Sequence, residues 1–595
     1  MPLPIEDYAM ISDCQSAALV GRNGSMDWLC FPRYDSPSMF GALLGDESHG
    51  RWLLAPADEA ATSTRAYIEN TFMLVTRWTT STGEVEVTDF MPHGNRSADI
   101  VRRVRGVRGT VTMRQEVAVR FDYARAVPWV RQVQGEQGHG IIATAGPDAV
   151  IIRGPRLRAR GEAHEGVFDV HEGETVDAVL NWYPSYRDAP PPLDVDALAA
   201  STQAWWDEWT SGISHQGAYH DHVVRSLIVL RALTHEDTGG IAAAATTSLP
   251  EQFGGERNWD YRYTWLRDAS LTLSVLINHG YLEEATDWRS WLLRAIAGDP
   301  ADVQIMYGLA GERDLVEREL PNFPGYEGSS PVRIGNGAVD QYQADVIGEV
   351  MVALQEAREK GIRDQQHAWP VQRALMTFTE QHWQRKDSGI WEMRGAERYF
   401  THSRVMVWAA FDRAIKAHER FGLDGPVKRW QELRSRIEEE IEEQGFDEER
   451  GTYVQAYGSK EVDASLLILP QVGYVRATDP RMLGTVQAIE EDLMPDGLVM
   501  RYRSGRSDDG LTPGEYPFLA CSFWLVEQYA ASGRHEDARR LMDRLVGLSN
   551  DVGLLSEEYD ITGGRQAGNT PQALSHLALV RAADAIESGR DTRHR

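Results

Sequence analysis

The sequence predicts a multidomain β + α chain, an N-terminal antiparallel β-sandwich followed by a C-terminal (α/α)6 barrel. Three observations carry this. The first third breaks into short β-rich runs with turn residues between them. A triple proline, Pro190-Pro191-Pro192, then interrupts the pattern and reads as a stiff connector. From about residue 218 the apolar residues recur at roughly 3.6-residue spacing almost to the end. The expected boundaries are 1–190 for the sandwich, 191–217 for a linker with a helix, and 218–595 for the helical domain.

In chain order, TFMLVTRWTT (71–80) and EVEVTDFMPH (84–93) are strands separated by Ser81-Thr82-Gly83, a hairpin signal. The runs 109–123, 140–146, 149–154 and 175–184 continue the series, and short strands joined by turns favour a sandwich. Behind the prolines, Trp205, Trp206 and Trp209 are placed to pack between the two domains. The helical part then offers about a dozen amphipathic segments, several ending at Gly, from YHDHVVRSLIVLRALTH (219–235) to TPQALSHLALVRAADAIE (570–587). Twelve helices can close as six hairpins into a double ring, with the N-terminal loops of the inner ring forming one pocket. A helical solenoid is the competing arrangement, and no fixed-period repeat favours it.

Composition narrows the function. The 595 residues carry a formal net charge of -28, which disfavours nucleic acid and anionic lipid as partners. Eighteen tryptophans mildly favour a carbohydrate ligand, because sugar clefts use exposed rings. Three widely spaced cysteines give neither a disulfide framework nor metal-knuckle spacing. The N-terminus lacks a basic region followed by an apolar run, and no stretch has about 18 uninterrupted apolar residues. The expectation is a cytoplasmic protein with no membrane, no nucleic acid, no cofactor and no metal, its oligomeric state open. The histidines form no HExxH pattern. Asp508-Asp509-Gly510 lacks the rest of a calcium loop and reads as a turn. RRVRGVR (102–108) reads as an internal salt-bridge face, and IEEEIEE (437–443) as a solvated helix face.

Three segments carry chemistry. WDYRYTWLRDAS (259–270) sets four aromatic rings beside Arg267 and Asp268 at the mouth of an apolar helix. Rings stack on the apolar faces of a pyranose, and a guanidinium and a carboxylate bond its hydroxyls with charge assistance. Thr264 is the expected N-cap, which would put Arg267 and Asp268 in the first turn, where the helix dipole favours the acid. GIWEMRGAERYF (389–400) places Glu392 after Trp391 in a Gly-bounded loop, and GLLSEEYD (553–560) carries Glu557 and Glu558 in another. Glycoside hydrolysis needs two carboxyl groups flanking the scissile bond. Apolar packing raises a carboxyl pKa, so Glu392 beside Trp391 suits the acid and Glu557 suits a base kept ionised by a more polar setting. The sequence leaves open which of Glu557 and Glu558 faces inward.

These segments, with DCQSAALVGRNGSMDWLCFPRYDSP, PVRIGNGAVDQYQAD, EYPFLACSFWLVEQ and GNTPQALSHLAL, span nearly the whole chain. In that order the chain resembles glycoside hydrolase family 15, the glucoamylase-like α-glucoside hydrolases, and in particular its bacterial members with a β-sandwich joined to an (α/α)6 barrel. The resemblance implies Glu392 as general acid and Glu557 as general base. It implies Arg267 and Asp268 on the terminal glucose, Tyr261 near the developing oxocarbenium ion and Trp265 in the pocket wall; Trp391, beside Glu392, is a further expected substrate-binding residue. Arg501, in VMRYR, matches the family's Arg-Tyr pair less closely. The expected reaction is inverting, exo-acting release of β-glucose from short α-glucosides, with isomaltose or other small α-1,6 or α-1,4 gluco-oligosaccharides ahead of trehalose. Two further alternatives are an inverting disaccharide phosphorylase, against which SEEYD argues, and an inactive sugar-binding protein.

Overall fold

A computed structural model describes residues 2–589 apart from 95–96, 136–137, 363–367 and 508. The N-terminal part is an antiparallel β-sandwich whose two sheets share one long strand, Asp99–Ala118. On one side, Arg51–Pro56 pairs with its second half and leads through Ser25–Cys30 and Ala17–Gly21 to Tyr8–Ser12. On the other side, Gly83–Phe90 and Thr175–Pro184 flank its first half. The expected hairpin is Leu74–Thr79 with Gly83–Phe90, and the run 175–184 is a strand over its full length.

The strands before residue 70 carry no alternating signal. Tyr8–Ser12, Ala17–Gly21 and Ser25–Cys30 are buried at every position, so the period-2 contrast that marks a half-exposed strand is missing. The basic run forms the expected salt bridges, but it is internal only at Arg102 and partly at Arg103, and Arg105 and Arg108 are exposed. Arg102 is wholly buried on Asp89 at 2.7 Å, Arg103 bonds Asp177 at 2.7 Å, and Arg105 and Arg108 reach Glu86 and Glu84.

The helix Val195–Thr210 joins the two parts, and its tryptophans do the packing. Trp206 is fully buried and edge-on to Phe72 of the sandwich. Trp205 stacks on His93, while Trp209 stacks on Tyr281 of the helical domain and donates its Nε1–H to Glu284 at 2.5 Å.

The helical domain closes as a double ring. Leu266–Asn278 packs on Val346–Glu359, which packs on Thr401–Phe421. The short 3-10 segment Ala464–Ile468 comes next, then Leu519–Ala531 and Ala573–Ser588, which returns to Leu266–Asn278. An outer ring of His220–Leu233, Leu282–Ala295, Ala368–His382, Val427–Gln444, Pro480–Leu493 and His535–Val546 surrounds it. A solenoid has no such return contact. The run 464–472 is therefore the weakest of the twelve segments, and the first three residues of the expected helix at 365–383 lie outside the described residues. Among the described residues no helix is long and apolar enough to cross a membrane.

The sandwich also roots the segment 259–270. Arg262 is fully buried, paired with Asp260 at 2.7 Å, and donates to the Ser36 carbonyl at 2.8 Å and the Tyr123 hydroxyl at 2.9 Å. Trp28 Nε1 donates to the Ala245 carbonyl at 3.0 Å, and the Tyr34 hydroxyl to the Ala232 carbonyl at 2.5 Å.

Trp206→Ala should lower stability by about 3–5 kcal/mol, the usual cost of emptying a buried tryptophan site. Chemical denaturation followed by intrinsic fluorescence and circular dichroism reads it; an unmoved midpoint would mean that this ring does not hold the two parts together.

Candidate active site

At the N-terminal end of the inner ring lies a pocket of about 750 Å³ including its open mouth, within the range of small-molecule sites. It is lined by Tyr261, Trp265, Arg267, Asp268, Trp391, Glu392, Arg501 and Glu557, so all eight site residues singled out in the sequence meet in one cavity. Glu558 is not among the lining residues; its Oε2 accepts the Tyr516 backbone N–H at 2.9 Å behind the wall. Glu557 is thus the member of the pair that faces the pocket.

The floor is built by the helix Leu266–Asn278. Thr264 does not cap it: the capping position is Trp265, and Thr264 lies in a two-residue strand paired with Tyr307. Arg267 and Asp268 still fall in the first turn, joined by Arg267 Nε to Asp268 Oδ1 at 2.8 Å. Arg267 Nη1 donates to the Ile390 carbonyl at 2.8 Å and so ties the floor to the loop that carries Glu392. Beneath Arg267 lie Asp345 and Glu349, which the sequence did not single out. Burial pushes their carboxyls up to about 6 and about 8, while the Arg267 charge opposes the shift.

Glu392 sits in a strained turn. Its φ is +58°, a left-handed conformation that non-glycine residues adopt rarely, and it re-aims the side chain away from its sequence neighbour. Gly389, at φ +68°, has the Phe400 ring 2.8 Å from where a Cβ would lie, so only glycine fits there. Trp391, expected to pack on Glu392, turns aside and donates its Nε1–H to Asp463 at 2.9 Å. The ring that touches the acid is Trp265, whose Nε1–H donates to Glu392 Oε1 at 2.6 Å. Burial raises the Glu392 pKa; the Arg267 charge and the Trp265 bond pull it the other way.

Glu557 departs from expectation. Its setting is charged but closed to water: it is 1% exposed, with Glu251, Arg501 and the Tyr261 hydroxyl around it. Burial and then the neighbouring Glu251 charge push it up to about 8, opposed by Arg501 and by the nearby Tyr261 hydroxyl. Gly568, at φ +76°, makes this position possible, because a Cβ there would lie 2.6 Å from the Glu557 Cβ.

Arg501 is the centre of a buried charge cluster. It donates to Glu251 at 2.6 Å and Glu515 at 2.5 Å, and lies 3.7 Å from Glu558. Burial and mutual repulsion raise the pKa of Glu515 and Glu558, with Arg501 opposing. Glu251, Glu515 and Glu558 each bring a carboxylate oxygen within 4.8 Å of the others, a spacing that would suit a cation. Here the Arg501 guanidinium supplies the positive charge. Glu251 also accepts the Trp259 Nε1–H at 3.0 Å. Glu251 and Glu515 were missed in the sequence, because an acid in TTSLPEQF or GEYPF has no local signal until the fold brings Arg501 to it. Trp259, Arg257, Arg394 and Asp509 complete the outer wall. Asp508, the first residue of the expected turn at 508–510, lies outside the described residues; Asp509 bonds Arg257 at 2.7 Å.

Comparison with known proteins bears on this site. The family model described as glycosyl hydrolases family 15 matches residues 217–584, and that described as trehalase-like, N-terminal, matches 1–171. A trehalase of Mycobacterium tuberculosis is 36% identical over 97% of this chain and 89% of its own length. A trehalase of Thermoplasma acidophilum is also 36% identical, over 96% of this chain and 98% of its own. Among solved structures, a bacterial glucoamylase complexed with acarbose superposes with a TM-score of 0.75 at 12% identity, covering 99% of this chain and 94% of that one.

Proposed function

Because the chain belongs to glycosyl hydrolases family 15, and is therefore a glycoside hydrolase, we propose that it is an inverting trehalase that splits α,α-trehalose into two glucose molecules. One observation carries the choice of substrate. Relatives named trehalase match almost the full length of the chain, its trehalase-like N-terminal part included. This reverses the order expected from sequence, which put isomaltose and other linear α-glucosides ahead of trehalose. Three buried, unpaired cysteines fit a reducing compartment, and we place the enzyme in the cytoplasm.

In this mechanism Arg267 and Asp268 hold the hydroxyls of the glucose in the floor. Glu392 gives its proton to the bridging oxygen as the C1–O bond breaks. Glu557 takes a proton from a water that attacks C1 on the opposite face, so the sugar in the floor leaves as β-glucose. The second sugar departs with its own anomeric centre untouched, as α-glucose. The two carboxyls of an inverting pair stand about 6.5–9.5 Å apart, leaving room for the water. Glu557 can serve as base only once it has lost the proton that burial and Glu251 favour, so its ionisation sets the acidic limb of the pH profile.

Three measurements test this. Proton NMR of fresh enzyme with trehalose, without phosphate, should show α- and β-glucose growing in equal amounts before mutarotation. Cleavage of isomaltose or maltotriose but not trehalose would refute the substrate, and glucose 1-phosphate appearing only with added phosphate would refute hydrolysis. Glu392→Gln and Glu557→Gln should each lose at least about 10²–10⁴-fold in trehalose turnover. They should part on α-glucosyl fluoride, whose leaving group needs no proton: Glu392→Gln keeps most of that activity and Glu557→Gln does not. The opposite pattern would exchange the two roles. Removing a neighbouring negative charge favours the ionised carboxylate, so Glu251→Gln should move the acidic limb of kcat/KM to lower pH. A limb that stays in place would separate Glu251 from the base.

A further inference from the structure

The pocket has a depth gradient that the proposed reaction leaves unused. Trp265, Asp268 and Glu557 at the bottom are buried, Trp259 and Leu511 are half-exposed, and Arg394 is exposed at the mouth. A pocket entered from one end and closed by an Arg-Asp floor holds the cleaved sugar below and the departing sugar above. The departing sugar must then lie between Glu392, which protonates the bond, and the mouth.

Arg394 stands at that place, two residues beyond Glu392 on the same loop. Its backbone N–H donates to the Asp509 carbonyl at 2.8 Å. Its guanidinium lies over the Trp259 ring, 4.3 Å from the centroid, and is clamped by Glu317 at 2.7 and 3.2 Å. Trp259 is itself held by its bond to Glu251 and by the Arg333 guanidinium 4.8 Å from its centroid. A guanidinium has five N–H donors, and Glu317 accepts two of them. A charge resting on an aromatic face and fixed by a carboxylate is a preorganised arm, which loses little freedom on binding.

We propose that Arg394, supported by Trp259 and Glu317, binds the hydroxyls of the departing glucose and so selects the leaving group. The assignment rests on the trehalase reading for the identity of that sugar and on the pocket geometry for its position. It makes Arg394 a specificity-determining residue, distinct from the floor pair that grips the cleaved sugar.

The test compares two substrates that share the sugar in the floor and differ in what departs and in whether Glu392 must give a proton. For each enzyme the ratio of kcat/KM on trehalose to kcat/KM on α-glucosyl fluoride is measured, because the fluoride offers nothing for Arg394 to hold. Losing charge-assisted hydrogen bonds to the sugar should lower this ratio about tenfold to a hundredfold in Arg394→Met. Arg394→Lys keeps the charge but not the fork, and its ratio should also fall. The basic limb of kcat/KM on trehalose, set by the Glu392 proton, should stay where it is in Arg394→Lys; wild-type ratios in both variants, an equal loss on the two substrates, or a lowered ratio in Arg394→Lys with that limb displaced would overturn the assignment. Wild-type turnover of trehalose decides the proposed function separately. If another disaccharide is cleaved instead, the same ratio is read with it, so the two proposals fail independently.

Discussion

One buried guanidinium anchors the back wall of the pocket. Arg501 bonds Glu251 and Glu515 and faces Glu558, and these acids come from segments some 300 residues apart in the chain. Removing one partner of a buried pair leaves an unpaired charge and typically costs about 3–5 kcal/mol. The cluster therefore binds the loop after the first outer helix, the loop before Leu519–Ala531 and the last inter-helix loop into one unit. It also has a chemical consequence. With Glu557 added, four acids share this wall, and their mutual repulsion adds to burial in raising the Glu557 pKa, against the Arg501 charge. The same charge balance that holds the wall together raises the proton affinity of Glu557.

The sandwich earns its place through Arg262. That side chain sits inside WDYRYTW, between Tyr261 and Trp265 of the pocket, yet points away from it into the N-terminal part. Alternation along this short stretch sends Tyr261 and Trp265 to the pocket and Arg262 to the Ser36 carbonyl and the Tyr123 hydroxyl. The two parts of the chain are thus continuous at the site itself. Without the sandwich, Arg262 would keep Asp260 but lose the Ser36 carbonyl and the Tyr123 hydroxyl that fix its place.

The loop of Glu392 combines three devices in six residues. A left-handed Gly389 lets the chain pass the Phe400 ring, and a left-handed Glu392 turns the acid toward Trp265. Arg394 then reaches the mouth on Trp259. Strain of this kind persists only where surroundings over-determine it. Here Arg267 holds the Ile390 carbonyl, and Asp463 holds the Trp391 ring.

By itself the sequence determined the two-part architecture and singled out eight of the residues that line the pocket, while closure of the helices into a ring rested on their count. The architecture and the acidic loops depend on local signals, namely the 3.6-residue spacing of apolar positions, the proline break, and pairings such as Trp-Glu and Arg-Asp; Tyr261, Trp265 and Arg501 were named by the resemblance to glycoside hydrolase family 15. The early strands were not legible, because full burial of Tyr8–Ser12 and its neighbours erases the alternation that marks a strand. The tertiary structure alone decided which acid of Ser556-Glu557-Glu558 faces the cavity, that Trp265 and not Trp391 contacts Glu392, and that Thr264 caps nothing. It alone also reversed the expected setting of Glu557. A pKa is fixed by every charge and every desolvating atom around a group. Glu251, more than three hundred residues earlier in the chain, becomes a neighbour of Glu557 only when the ring closes.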